Sequence, residues 1–247
     1  MLMMNNPVLD LIYPRRCPVC DGIVGMFEFH NGHIHKAGPV HRKCLNKIEY
    51  IKGPTCQKCG KPLGSDKTAE YCTDCQRTRH FFTKGYSVFL YRSISGSIYR
   101  FKYMGRKEYA DFYGWATKKR LGKKLKGLGI EAIVPVPMYK DKERKRGYNQ
   151  AEVYARAVSK ALDIPLETDL IRRVRNTAPM KELDAVRRRN NLKKAFIMPQ
   201  NDVKFKCVLI IDDIYTTGST IDEIAHEFQM AGVEEVYFLT LAIGQTT

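Results

Sequence analysis

The hydrophobic pattern of the chain changes near residue 80. Before that point large apolar side chains are few, and after it they recur at regular intervals. Tyr86 to Tyr91 has the look of a strand; Ile94 to Met104 follows, and then Tyr109, Phe112, Tyr113 and Ala116 sit at helical spacing until the cationic run Lys118 to Lys126. Ile133 to Val136 is a buried strand, and Pro137 to Gly147 a loop crowded with bases. Tyr148 to Leu162 is helical, with Val153, Ala157, Val158 and Ala161 on one face. Val208 to Ile211 is an unbroken aliphatic run suited to a parallel strand covered on both faces. Ile221, Ile224, Ala225 and Phe228 then mark a helix, and Val236 to Ala242 a last strand. This alternation predicts an α/β fold with a parallel sheet and right-handed crossovers over residues 81–247, preceded by a small module over 1–80. Arg172 to Ala195 is a long charged connection without strand pattern, and such connections inside compact domains are usually functional.

The first 80 residues gain a reason to fold from their cysteines. Cys17 and Cys20, Cys56 and Cys59, and Cys72 and Cys75 are CxxC pairs, with Cys44 over. Met1 to Asn6 has no basic start, Val8 to Ile12 is too short for a signal core, and no run approaches a membrane span. The expectation is a cytoplasmic protein without membrane insertion, where such pairs hold metal rather than disulfides. Cys56, Cys59, Cys72 and Cys75 close one tetrahedral zinc site. Cys17 and Cys20 need two more ligands, which His41 and Cys44 supply at the same two-residue gap; His30, His33 and His35 are alternatives for the histidine. Two structural Zn²⁺ sites in tandem ribbons are expected, because so apolar-poor a segment needs staples.

The densest stretch chemically is Val208 to Thr220, VLIIDDIYTTGST. Asp212 and Asp213 leave the strand at its C-terminal end, the edge where open α/β sheets bind ligands. Thr216, Thr217, Gly218, Ser219 and Thr220 follow, rich in hydroxyls, with a glycine that lets backbone approach and a helix N-terminus that favours phosphate. Helix capping accounts for one of those hydroxyls and leaves three. The stretch resembles the phosphoribosyl pyrophosphate (PRPP) motif of type I phosphoribosyltransferases. That resemblance implies an acidic pair, Asp212 and Asp213, on the ribose hydroxyls and a 5-phosphate on Thr216 to Thr220, with Mg²⁺ accompanying PRPP. The hypoxanthine-type enzymes of that class have an aspartate at the Thr216 position, so the purine salvage activity is not expected.

Charge adds a second ligand. The net charge of +16 is uneven: the chain is +22 before residue 206, with 12 basic and 3 acidic side chains in 81–131 alone, and −6 after it. One small ligand needs fewer cations, which points to a polyanion such as nucleic acid. In YRFKYMGRK, bases alternate with aromatics, a composition that suits single-stranded DNA held by Arg100, Lys102, Arg106 and Lys107, and that the spacing alone does not separate from a helix buried against the sheet.

Taken together, the paired cysteines, FKYMGRKEYA, PVPMYKDKERKRGYNQA, the Arg-rich stretch ending NNLKKAF, and VLIIDDIYTTGST resemble the ComF family along essentially the whole chain. His41 stands where that family commonly has cysteine, and Met180 where it has glutamine. The resemblance implies a type I phosphoribosyltransferase fold, a Rossmann-like parallel sheet behind a double zinc ribbon, in a protein of natural competence that handles imported single-stranded DNA alongside other DNA-uptake proteins. It also implies that Lys140, Arg144 and Arg146 hold pyrophosphate and that Arg173 or Arg175 closes over it. A metabolic phosphoribosyltransferase and a PRPP-sensing regulator are the alternatives, and the enzyme class expected is pentosyl transfer.

Overall fold

The structure is a computed structural model and describes residues 14–30, 32–64, 68–175, 195–199 and 203–244. The N-terminal module holds a hairpin, β1 (Phe27–His30) and β2 (His33–Lys36), and two short helices, α1 (Arg42–Leu45) and α2 (Thr73–Arg77). The rest runs β3 (Lys84–Leu90), α3 (Tyr91–Tyr103), α4 (Tyr109–Lys126), β4 (Ala132–Pro135), α5 (Lys140–Arg146), α6 (Gln150–Leu162), β5 (Arg172–Arg173), β6 (Phe196–Ile197), β7 (Cys207–Tyr215), α7 (Ser219–Met230) and β8 (Glu235–Ile243). Four strands form one parallel sheet in the order β3-β8-β7-β4. Beside it, β5 and β6 pair as a small antiparallel ribbon.

Two segments differ from the sequence expectation. The basic stretch expected as a loop contains helix α5, which stops at Gly147 in the left-handed conformation (φ 84°). Helix α6 starts two residues later than expected, because Asn149 caps it by accepting from Ala151 N–H. Met180 and residues 176–194 of the long charged connection fall outside the described residues.

The sheet separates two apolar cores, and each takes in one cysteine cluster. On one face α3, α4 and α6 pack over Leu209, Ile211, Leu239 and Leu241, and Cys17 and Cys44 join them. On the other face α7 covers Val208, Ile210 and Phe238, with Cys56, Cys59 and Cys72. The module thus straddles the outer strand β3. It covers that strand by backbone pairing: Ile51 N–H donates to Val88 C=O (3.1 Å), Leu90 N–H to Glu49 C=O (2.8 Å) and Gly85 N–H to Lys58 C=O (2.7 Å). An uncovered edge strand would be open to other chains, and here the ribbons close it. The docking point is tight, since a Cβ on Gly60 would lie 2.5 Å from the Gly85 carbonyl oxygen.

Candidate functional site

The two cysteine clusters are built alike. In each knuckle the first cysteine N–H bonds a carbonyl five residues on: Cys17 to Gly22 and Cys56 to Lys61, both at 2.8 Å. The residue just before that carbonyl is left-handed, Asp21 (φ 58°) in one and Gly60 (φ 75°) in the other. Ligand atoms of Cys17, Cys20, His41 and Cys44 lie within 4.8 Å of one another, as do those of Cys56, Cys59, Cys72 and Cys75. A zinc tetrahedron with Zn–S near 2.3 Å puts its sulfurs about 3.8 Å apart. Cys59 Sγ and Cys72 Sγ are 3.6 Å apart, and Cys20 Sγ and His41 Nδ1 are 3.3 Å apart, so both donor sets fit the ion. His41 Nε2 lies 2.9 Å from Ile23 C=O, which fixes the tautomer that leaves Nδ1 as ligand. His33 and His35 instead sit exposed on the β1–β2 hairpin.

At the C-terminal edge of the sheet, Asp212 and Asp213 point to opposite faces, as adjacent strand residues must. Asp213 is buried against the α3 core, with Lys102 Nζ 2.8 Å from its Oδ2. Asp212 is half-buried on the other face, and its Oδ1 accepts from Asp213 N–H (2.8 Å). Burial and the neighbouring Asp213 charge push the Asp212 carboxyl up to about 7, while the Asp213 N–H, Lys102 and Arg173 pull the other way. Burial works against the Lys102 charge, but Asp213, with Asp212 behind it, holds that ammonium above the ordinary lysine range.

The loop after β7 wraps a cleft of about 310 Å³ lined by Asp212 and by Thr216 to Ile221. Gly218 is left-handed (φ 81°) and caps α7; a Cβ there would lie 2.6 Å from the Tyr215 hydroxyl. Thr217 and Ser219 hydroxyls are 3.0 Å apart, and both residues line that cleft. In the first turn of α7, Asp222 turns back to His80 Nδ1 (2.5 Å) and Phe81 N–H (3.0 Å), tying the start of α7 to the segment that leaves the second ribbon. Nothing in the sequence pattern singled out Lys102, His80 or Asp222 for these contacts, since their partners lie about 110 and 140 residues away.

Among the cations expected on pyrophosphate, Arg146 and Arg173 approach one another through Lys142, whose charge is disfavoured by burial, Arg173 and Arg146 in turn. Arg173 lies over the Phe196 ring (5.5 Å) and is held down by burial, with Asp212 opposing. Arg146 sits over the Tyr103 ring (5.0 Å) and donates to Gln150 Oε1 (2.5 Å). Lys140 is exposed, Arg144 pairs with Asp141 on the exposed face of α5, and Arg175 is exposed at the end of β5. Lys142 therefore joins the cluster that the sequence reading built from Lys140, Arg144 and Arg146.

The four cations expected on DNA are arranged differently from that expectation. Arg100 donates to Pro18 C=O and Val19 C=O, both at 2.9 Å, inside the first zinc knuckle. Arg106 Nη2 donates to Asp21 Oδ2 (3.0 Å), where Tyr109 also donates (2.5 Å to Oδ1). Lys102 serves Asp213, and Lys107 lies 4.7 Å over the Tyr148 ring. The physical reason is helical geometry: α3 sends Phe101 into the core and Lys102 into the site, and leaves Tyr99 and Tyr103 outside, so bases and aromatics that alternate in sequence do not share a face. Three of the four bind the first ribbon or the acidic pair, and they form no open cationic ladder.

Comparison with known proteins accords with this arrangement. The double zinc ribbon domain family matches residues 8–76, and the phosphoribosyl transferase domain family matches 149–246. The chain is 33% identical over 238 residues to competence protein F of Haemophilus influenzae, covering 92% of this chain and 96% of that one. The chain belongs to the ComF family. Within it, competence protein ComFC of Bacillus subtilis is 30% identical over 72% of both chains, and the DNA utilization protein YhgH of Escherichia coli K12 is 29% identical over 69% of this chain and 75% of that one. Among solved structures, a hypoxanthine phosphoribosyltransferase from Staphylococcus aureus aligns over 56% of this chain and 64% of its own at 18% identity, with a TM-score of 0.35. This ComF-family chain thus has a phosphoribosyltransferase domain on a parallel sheet and a double zinc ribbon carrying structural zinc. Lys102 lies between the two matched domains, in the segment 77–148 that joins them. No helix among the described residues is long and apolar enough to cross a membrane.

Proposed function

We propose that this ComF-family protein binds PRPP at the C-terminal edge of its sheet and transfers phosphoribose, in a cytoplasmic role in handling DNA taken up by the cell. The observation that carries the proposal is that Asp212 and the hydroxyl-rich loop at the start of α7 line one cleft, with Arg173 near enough to feel the Asp212 charge and Lys142 near enough to feel those of Arg173 and Arg146. Ribose hydroxyls donate to Asp212, and the 5-phosphate takes the α7 N-terminus with Thr217 and Ser219. Pyrophosphate lies against the cations, which favour its departure as charge develops on C1 of the ribose. Mg²⁺ accompanying PRPP would supply further charge neutralisation for that leaving group. The chain needs no nucleophile of its own for this: it positions and stabilises. The names of its relatives, competence protein and DNA utilization protein, support the DNA setting.

A pH dependence follows from Asp212. In the unfolded chain its carboxyl loses its proton near 3.9, whereas in the fold it keeps it to about 7. Between those values the native state binds the extra proton, so stability without ligand falls as pH rises through that window. Ribose hydroxyls donate best to the ionised carboxylate, so PRPP affinity should change the opposite way. Calorimetric titration should show affinity rising about tenfold from pH 6 to pH 8, the ratio of ionised fractions for a group titrating near 7. Asp212→Asn should bind weakly at both pH values and lose that increment; an equal increment in the variant would assign the titration to the ligand and count against the site. Pyrophosphate release in the presence of PRPP and acceptor separates a transferase from a PRPP sensor.

A further inference from the structure

A second basic site lies between the ribbons and α4 and shares no residue with the PRPP cleft. Residues 51–60 touch the edge strand at Val88 and Gly85 and, between those points, leave a groove of about 660 Å³ against β3 and α4. Lys52, Lys84, Arg120 and Lys124 line it, and no carboxylate does. Among the described residues none of the four is in a salt bridge, and Glu49, two residues before this segment, is taken by Arg92. The cations continue along α4 past the groove. Trp115, Lys119 and Lys123 recur on one face of the helix, and Arg120 and Lys124 lie on the adjoining face that lines the groove, together over about 13 Å of helix axis. Three of them pair a cation with an aromatic ring: Lys119 over Trp115 (4.9 Å), Arg120 over Tyr50 (4.8 Å) and Lys124 over Tyr86 (5.0 Å). Trp115 is 36% exposed, on a helix whose other large aromatics are buried.

We propose that this groove and the α4 face beside it bind single-stranded nucleic acid, with phosphates on Lys52, Lys84, Arg120 and Lys124 and bases against Trp115 and the Arg120 guanidinium plane. The inference rests on the reading that the protein handles DNA, and it states where the strand lies. A small polyphosphate would use only the groove, whereas the exposed cations and the ring at Trp115 extend beyond it. Unstacked bases are what aromatic and guanidinium faces hold, which favours a single strand over a duplex.

The full zinc-loaded chain can be tested with a fluorescent oligo(dT) and with its own Trp115, the one tryptophan of the sequence. Saturating oligo(dT) should change Trp115 fluorescence, and neutralising four phosphates should give a log–log salt slope of about −3. Arg120→Glu with Lys124→Glu should weaken binding at least about tenfold and flatten that slope, and so should Lys52→Glu with Lys84→Glu on the opposite wall, each variant keeping the wild-type melting temperature and its PRPP-induced shift. Asp212→Asn should bind oligo(dT) as wild type does. Undiminished binding in both charge variants, a silent Trp115, or equal affinity for inorganic tripolyphosphate would overturn the groove assignment. Oligo(dT) binding that survives both variants sinks the groove alone; no binding by wild type sinks the DNA reading with it.

Discussion

Replacing Cys72 by serine should cost the protein one of its two zinc ions and most of its cooperative melting transition. Cys72 is buried beside Cys59 in the same apolar core as Phe82, Tyr215 and Phe238. The Phe82 ring meets Phe238 edge-on at 4.8 Å, and Tyr215 stacks on Phe238 at 4.9 Å. Loss of this zinc therefore opens the core directly under the loop between β7 and α7, besides freeing a ribbon. Structural zinc contributes on the order of 10 kcal/mol or more, comparable with the whole stability of an ordinary domain. Elemental analysis should fall from two zinc per chain to about one, with protease cleavage appearing between residues 50 and 80. A variant that melts within about 2 °C of wild type would show that the cluster carries little structure.

The second large effect is expected at Lys102. Its pair with Asp213 is nearly dry, with side chains 17% and 8% exposed. Removing one partner of such a pair costs roughly 3–5 kcal/mol, because the other charge is stranded, whereas replacing both by apolar groups can be nearly neutral. Lys102→Met should thus lower the melting temperature of the unliganded protein by about 6–20 °C at pH 8. Lys102→Met with Asp213→Leu should regain much of the stability and still fail to bind PRPP. A double-mutant cycle measures this: additive effects would mean that the two residues do not act as a pair.

The strand, loop and helix of the site were legible because each obeys a local rule: an unbroken aliphatic run from Val208 to Ile211, then hydroxyls and Gly218, then helical spacing from Ile221 to Phe228. The cysteine spacing carried both metal clusters for the same reason, since knuckle geometry is set within six residues. What was not legible depends on distant partners. Both acidic residues were expected to face a solvated cleft, yet Asp213 lies on the core face of β7 and meets a lysine from α3. The same helix rearranges the residues expected on DNA: YRFKY has a period of two in sequence, but in a helix Tyr99 and Tyr103 come together with ring centroids 5.2 Å apart while Phe101 turns inward. The cationic run on α4, by contrast, reads equally as a solvated face until the ribbon linker is seen to close a groove over it.

The central claim is that the cleft at Asp212 and the α7 N-terminus holds PRPP, and its most direct test is the melting temperature of the zinc-loaded protein titrated with PRPP and Mg²⁺. A ligand that binds only the native state stabilises by mass action, about 2.7 kcal/mol at a hundredfold excess over Kd. The expected result is a rise that grows with the logarithm of PRPP concentration and reaches about 5–10 °C at that excess. It should be largely lost in Asp212→Asn and in Thr217→Val, two changes in residues that line the cleft. No shift in the wild-type protein at millimolar PRPP, or an undiminished shift in both variants, would contradict the assignment.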